Sequence, residues 1–136
     1  KTLTCKEIDV TTLYLSGPMS GWEDNNYPLF HEVAAILREA GYAVVNPAEG
    51  PDDAPADATW QWWMRRAIAA MMTADAVAGL PDWTTSQGAR TEIDLALNLG
   101  MTVRAARDWI AESDDPEALR RYDVAISRAV LREACE

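Results

Sequence analysis

Glu92 is the residue of this chain best placed to do chemistry. In the stretch Ser86-Gln-Gly-Ala-Arg-Thr-Glu92 a hydroxyl and a glycine run into a helical pattern, with Thr91, Asp94 and Asn98 on its polar stripe. Glu92 instead shares a stripe with Leu95, Ala96 and Leu99, at spacings of three, four and seven residues. An ionisable side chain on an apolar stripe points inward. It also falls in the first turn of a helix that follows a strand, at the carboxyl edge where open α/β sheets bind ligands. The turn before it offers the Ser86 hydroxyl and the N–H groups of a helix N-terminus, and Gly88 removes a side chain that would obstruct close approach. An anionic group at Ser86 and a reacting carbon near Glu92 make a coherent site. The plainer alternative is that Ser86 only caps the helix and Glu92 completes a variant capping arrangement. A capping box needs a spacing of three, and these residues are six apart.

A second group of residues lies in Tyr-Leu-Ser-Gly-Pro-Met-Ser-Gly, positions 14 to 21, where Gly17 and Gly21 let backbone amides approach a ligand at the end of the first strand. Neighbouring strands bring Tyr14 near the helix that carries Glu92; a core tyrosine followed by an ordinary turn accounts for the same residues. Trp60, Trp62 and Trp63 have the aromatic surface to stack a base, although tryptophans at helical spacing are more often core or interface. Arg65 and Arg66 are positioned either to meet a phosphate or to form solvated ion pairs, the commoner case.

Several other chemistries are excluded. His31 is the single histidine and sits in an amphipathic helical pattern, so a Ser-His-Asp triad or an HExxH zinc site cannot be assembled. Neither a G-x-x-x-x-G-K-[ST] loop nor a G-x-G-x-x-G turn is present. Cys5 and Cys135 lie near opposite ends and form neither a disulfide framework nor a ligand cluster, so no metal or cofactor is expected. Twelve basic against 22 acidic residues give a net charge of −10, which argues against a nucleic-acid polymer or an anionic membrane as partner. A phosphorylated small molecule must then be held by a local pocket. No run approaches the roughly 18 apolar residues of a membrane span, and no secretory leader pattern is seen, so a cytoplasmic protein is expected.

The 136 residues suit one domain. Thr12 to Ser16 reads as a buried strand, Pro28 to Ala40 as a helix stopped by Gly41, and Tyr42 to Pro47 as the second strand. Ala48 to Asp57 has loop composition. A helix over Thr59 to Ala74, a strand over Asp75 to Pro81, a helix over about Gln87 to Leu99 stopped by Gly100, and a strand over Met101 to Ala105 follow. Alternation over short connections predicts a small doubly wound α/β domain, Rossmann-like or flavodoxin-like, with a parallel sheet flanked by helices. The remaining segment, Arg107 to Glu136, predicts one extra C-terminal helix that packs on the domain or on a partner subunit. Asp115 is its N-cap, Pro116 its first residue, and Leu119, Tyr122, Ile126, Ala129 and Val130 its apolar stripe.

The segments Tyr14 to Gly21, Asn25 to Glu49 and Asp75 to Val103 together resemble the phage and bacterial DUF4406 family, which looks like a branch of the nucleoside 2-deoxyribosyltransferase and deoxynucleotide N-glycosidase superfamily. The resemblance covers about Thr12 to Arg104. It implies that Glu92 is the nucleophile that attacks C1′ of the sugar, that Tyr14 orients it, and that Ser86 binds a 5′-phosphate where base-exchanging relatives carry aspartate. Gly17, Ser20, Gly21 and Gly88 would line the sugar-phosphate site, and Asp75 would join the substrate-binding residues. A homodimer or higher homo-oligomer, with the site completed by the neighbouring subunit, is implied as well. One position departs from the family pattern: helix two carries Met-Arg-Arg-Ala, with Ala67 where aspartate would reach the sugar hydroxyls. Two functions follow as expectations: cleavage or transfer at the N-glycosidic bond of a nucleoside 5′-monophosphate, or nucleotide binding without turnover.

Overall fold

The first strand organises everything else because its side chains alternate between two faces. In the computed structural model, which describes residues 9–134, β1 (Thr12–Ser16) is flanked by β2 (Ala43–Val45) and β3 (Ala76–Gly79), with β4 (Thr102–Ala105) beyond β3. Cys5 and Cys135 lie outside the described residues. All pairings are parallel, in the order β2-β1-β3-β4, with Tyr14 opposite Val45 on one side and Val77 on the other. Leu13 and Leu15 pack beneath α1 (Tyr27–Glu39), α4 (Ala106–Glu112) and α5 (Pro116–Ala134). Tyr14 faces the other way, with Val77, Ile93, Ala96 and Met71, beneath α2 (Trp60–Met71) and α3 (Gln87–Asn98). The result is the doubly wound α/β sheet that the alternation predicts.

Chain order fixes where a ligand can sit. From β1 the chain crosses to β2 on one side, then returns past β1 to β3 on the other. The connections diverge at the carboxyl ends of β1 and β3, and that divergence opens the crevice used by such sheets. Local chemistry holds the helices at this edge. Thr59 Oγ1 accepts from Trp62 N at 3.0 Å to cap α2, and Ser86 Oγ accepts from Ala89 N at 3.2 Å to cap α3. Gly17, expected to admit a ligand, is required by packing: a Cβ there would lie 2.7 Å from Leu80 Cβ. Gly17→Ala is therefore expected to cost about 1–3 kcal/mol, read as a lower urea midpoint with an unchanged slope.

Three expectations are corrected. The segment after β4 is two helices, broken by a turn in which Asp114 takes φ +63°. The first, α4, buries Trp109 and Ile110, and Trp109 Nε1 donates to Val77 O at 3.0 Å. On α5 the buried face is Ala118, Tyr122, Ala125 and Ala129, with Leu119 and Ile126 at its margin and Val130 61% exposed. Small residues at the contact let α5 lie close against α1. Leu99, placed on the Glu92 stripe, is exposed because α3 ends at Asn98, short of it. Trp60 and Trp63 stay largely outside the core. Among the described residues no helix is long and apolar enough to cross a membrane.

Candidate active site

Period-two alternation puts Tyr14 and Ser16 on the same face of β1, and α3 lowers its second turn onto that face; Glu92, expected in the first turn, is the sixth residue of a helix that begins at Gln87. Glu92 is 7% exposed and meets both of them. Tyr14 donates its hydroxyl proton to Glu92 Oε2 at 2.8 Å, and Ser16 donates to Glu92 Oε1 at 2.7 Å. Each carboxylate oxygen thus holds one donor and keeps lone-pair capacity for a ligand. Burial pushes the Glu92 carboxyl above its ordinary range, opposed by the hydrogen bonds from Ser16 and Tyr14. Burial, reinforced by the Glu92 charge, pushes the Tyr14 phenol well above its usual value, which keeps Tyr14 protonated and a donor.

Glu92 and Tyr14 line a cavity of about 800 Å³ between the two helices of this face, at the carboxyl edge. Ser86 and Gly88 line it from α3, Gly17 and Ser20 from the loop after β1, and Trp63 and Ala67 from α2. Ser86 is at once a helix cap and a cavity residue, and Glu92 takes no part in the cap. A Cβ at Gly88 would come within 3.2 Å of Met64 Sδ, so that glycine lets α2 and α3 approach each other. Gly21 does not line the cavity; its φ of +86° serves the turn.

Asp75 is a correction. It lies at the amino-terminal end of β3, where its Oδ2 accepts from Thr12 N at 2.8 Å, on the edge of the sheet opposite the crevice. Ser16 is the residue that the reading of the sequence missed. The turn signal of Gly17-Pro18 obscured it, although its place two residues after Tyr14 on an alternating strand was the available clue. Asn46 was missed too: buried at the end of β2, it lines the cavity and accepts from Ala48 N through Oδ1. His31 lies exposed on α1. Among the described residues no three His, Cys, Asp or Glu side chains converge as a metal ion requires.

A buried carboxylate with two fixed donors and an open cavity before it can act as nucleophile or base toward a small ligand. No curated protein matches the chain. Among solved structures, the 2-deoxyribosyltransferase of the psychrotolerant bacterium Bacillus psychrosaccharolyticus, characterised as a biocatalyst for synthesis of antiviral and antitumoral nucleosides, has a similar fold. The likeness has a TM-score of 0.54 at 21% identity and covers 68% of this chain and 69% of that one. The family model for the domain of unknown function DUF4406 matches residues 11–105, from the start of the sheet to its last strand, and the chain belongs to that family.

Proposed function

We propose that this protein cleaves the N-glycosidic bond of a nucleoside 5′-monophosphate, a 2′-deoxynucleotide in the first instance, through Glu92. A Glu92 carboxylate oxygen forms a bond to C1′ while the C1′–N bond breaks, and the electron pair leaves with the base, which takes up a proton. Water then attacks C1′, giving up a proton, and Glu92 leaves as carboxylate; a second base in place of water turns hydrolysis into transfer. Splitting one displacement into two suits a carboxylate facing an oxocarbenium-like centre. The observation that carries the reading is the buried Glu92 held by Tyr14 and Ser16 at the cavity wall. Ser86 and the N-terminus of α3 supply neutral donors for the phosphate. A homo-oligomer, with a neighbouring subunit closing the cavity, belongs to the same reading. Its test is chromatographic: deoxynucleoside and ribonucleoside 5′-monophosphates incubated with the protein, with free base as the product sought.

The reaction needs Glu92 ionised, which gives a signed pH dependence. Because burial raises the carboxyl in the fold, base release should fall with acid through a pKa above the ordinary glutamate value of about 4.3. A rate profile whose acidic limb lies at or below that value would remove Glu92 from the nucleophile role.

Ala67 favours a second reading, a module that holds a nucleotide without turning it over. It lines the cavity at the position where the family pattern carries aspartate. Recovery of bound nucleotide unchanged after long incubation supports this reading, and free base whose appearance requires Glu92 rules it out.

A further inference from the structure

The cavity is acidic, with Glu49, Asp52 and Glu92 on its lining, and the whole chain carries −10. Among the described residues that line it, Arg66 is the one cation. Its guanidinium carbon lies 5.5 Å from the Trp62 ring centroid and 5.6 Å from that of Trp63, and the two rings meet edge to face at 5.0 Å. The aromatic pair holds the guanidinium and shields it from water on that side. The loop after β2 is shaped around it: Arg66 Nη2 donates to Pro51 O at 2.7 Å, and a Cβ at Gly50 would lie 2.6 Å from the same nitrogen. Its remaining ionic partner is Asp53, at 2.9 Å from Nη1.

That pair is asymmetric. The Asp53 side chain is 67% exposed, whereas that of Arg66 is 26% exposed. Asp53 therefore regains nearly full hydration when it lets go, and an exposed ion pair contributes little to stability. A phosphoryl group presents three acceptor oxygens and more charge than one carboxylate, and it suits the planar guanidinium fork. Arg66 has five N–H donors, of which these two partners engage two.

We infer that Arg66 is the cationic anion-binding residue of this cavity, held against the Trp62–Trp63 pair for the phosphoryl group of the ligand, with Asp53 as the internal anion that the phosphoryl group displaces. The inference rests on the nucleotide reading and names the residue that would select a monophosphate over the uncharged nucleoside. It assigns Arg66 a role in recognition only; the bond-breaking step stays with Glu92.

The test measures binding, so it does not depend on turnover. A 2′-deoxynucleoside 5′-monophosphate, the matching nucleoside and inorganic phosphate are titrated against the protein and its variants by calorimetry, with tryptophan fluorescence followed in parallel. Arg66→Gln should weaken monophosphate binding about ten- to a hundredfold and leave the nucleoside unchanged. Asp53→Asn should have the opposite sign and tighten the monophosphate several-fold, because the competing anion is gone. Arg66→Lys keeps the charge without the fork and should fall between wild type and Arg66→Gln. If Arg66 only pins the loop, Asp53→Asn and Arg66→Gln will change affinity in the same direction, for nucleoside and monophosphate alike, and that result overturns the inference. Opposite signs without base release would sustain the anion site and reject the glycosidase. Base release with both variants unchanged would do the reverse.

Discussion

Glu92→Gln should lower base release by at least about 10³-fold while nucleotide binding and the fold persist. The amide has almost the shape of the carboxylate. Tyr14 and Ser16 carry hydroxyls that donate to its oxygen or accept from its nitrogen, so no buried polar group is left without a partner. What disappears is the negative oxygen that attacks C1′. Stability carries a second, signed signature. The folded-state pKa of Glu92 lies above its unfolded value, so the wild type is most stable below the unfolded pKa and loses that stability as pH rises through the folded one. Glu92→Gln carries no such penalty. Its stability relative to wild type should therefore rise from acid to neutral pH, a trend that denaturation at a series of pH values reads directly.

Tyr14→Phe is expected to give the next largest effect, a loss of about ten- to a hundredfold at the pH plateau, together with an acidic limb displaced to higher pH. The lost hydroxyl donates to Glu92 Oε2 and opposes the upward push of burial, so its removal makes the carboxylate harder to form. Ser16→Ala removes the matching donor on Oε1 and should move the limb in the same direction. The two losses should not add, because both donors act on one carboxylate. Carbon-13 NMR titration of the Glu92 carboxyl in the free protein follows the same shift without substrate. A limb that stays in place in both variants would mean that neither hydroxyl tunes Glu92.

The parts of this fold governed by local rules were legible in the sequence, and the parts set by tertiary context were not. Strands with turn residues after them and helices with Ser86, Asp115 or Gly41 at their ends follow from capping and periodicity over a few residues. The inward placement of Glu92 followed from its spacing to Ala96. Its companion Leu99 was misread, because α3 ends at Asn98 and the buried stripe ends with it. The C-terminal segment was misread for a related reason. Tyr122 and Ala129 of the expected stripe are buried, but Ala118 and Ala125 beside them carry little hydropathic signal, and the larger Val130 drew the stripe toward solvent. Ser16 and Asp75 show the limits of reading site residues from sequence. Ser16 gains its role from a helix that arrives 76 residues later, and Asp75 loses its expected one because it sits at the wrong end of a parallel strand. For Trp60 and Trp63 the sequence left base stacking beside core or interface, and the open crevice leaves them exposed on its lining.

Covalent trapping tests directly whether Glu92 is the nucleophile. The protein is incubated with a 2′-fluoro-arabino-nucleoside 5′-monophosphate, whose fluorine slows hydrolysis of the glycosyl ester, then quenched in acid, digested and analysed by mass spectrometry. A sugar-phosphate adduct is expected on the peptide that carries Glu92, formed as base is released and absent from Glu92→Gln. Base release with the adduct on another residue, or with the Glu92 peptide unmodified, would show that Glu92 is not the nucleophile.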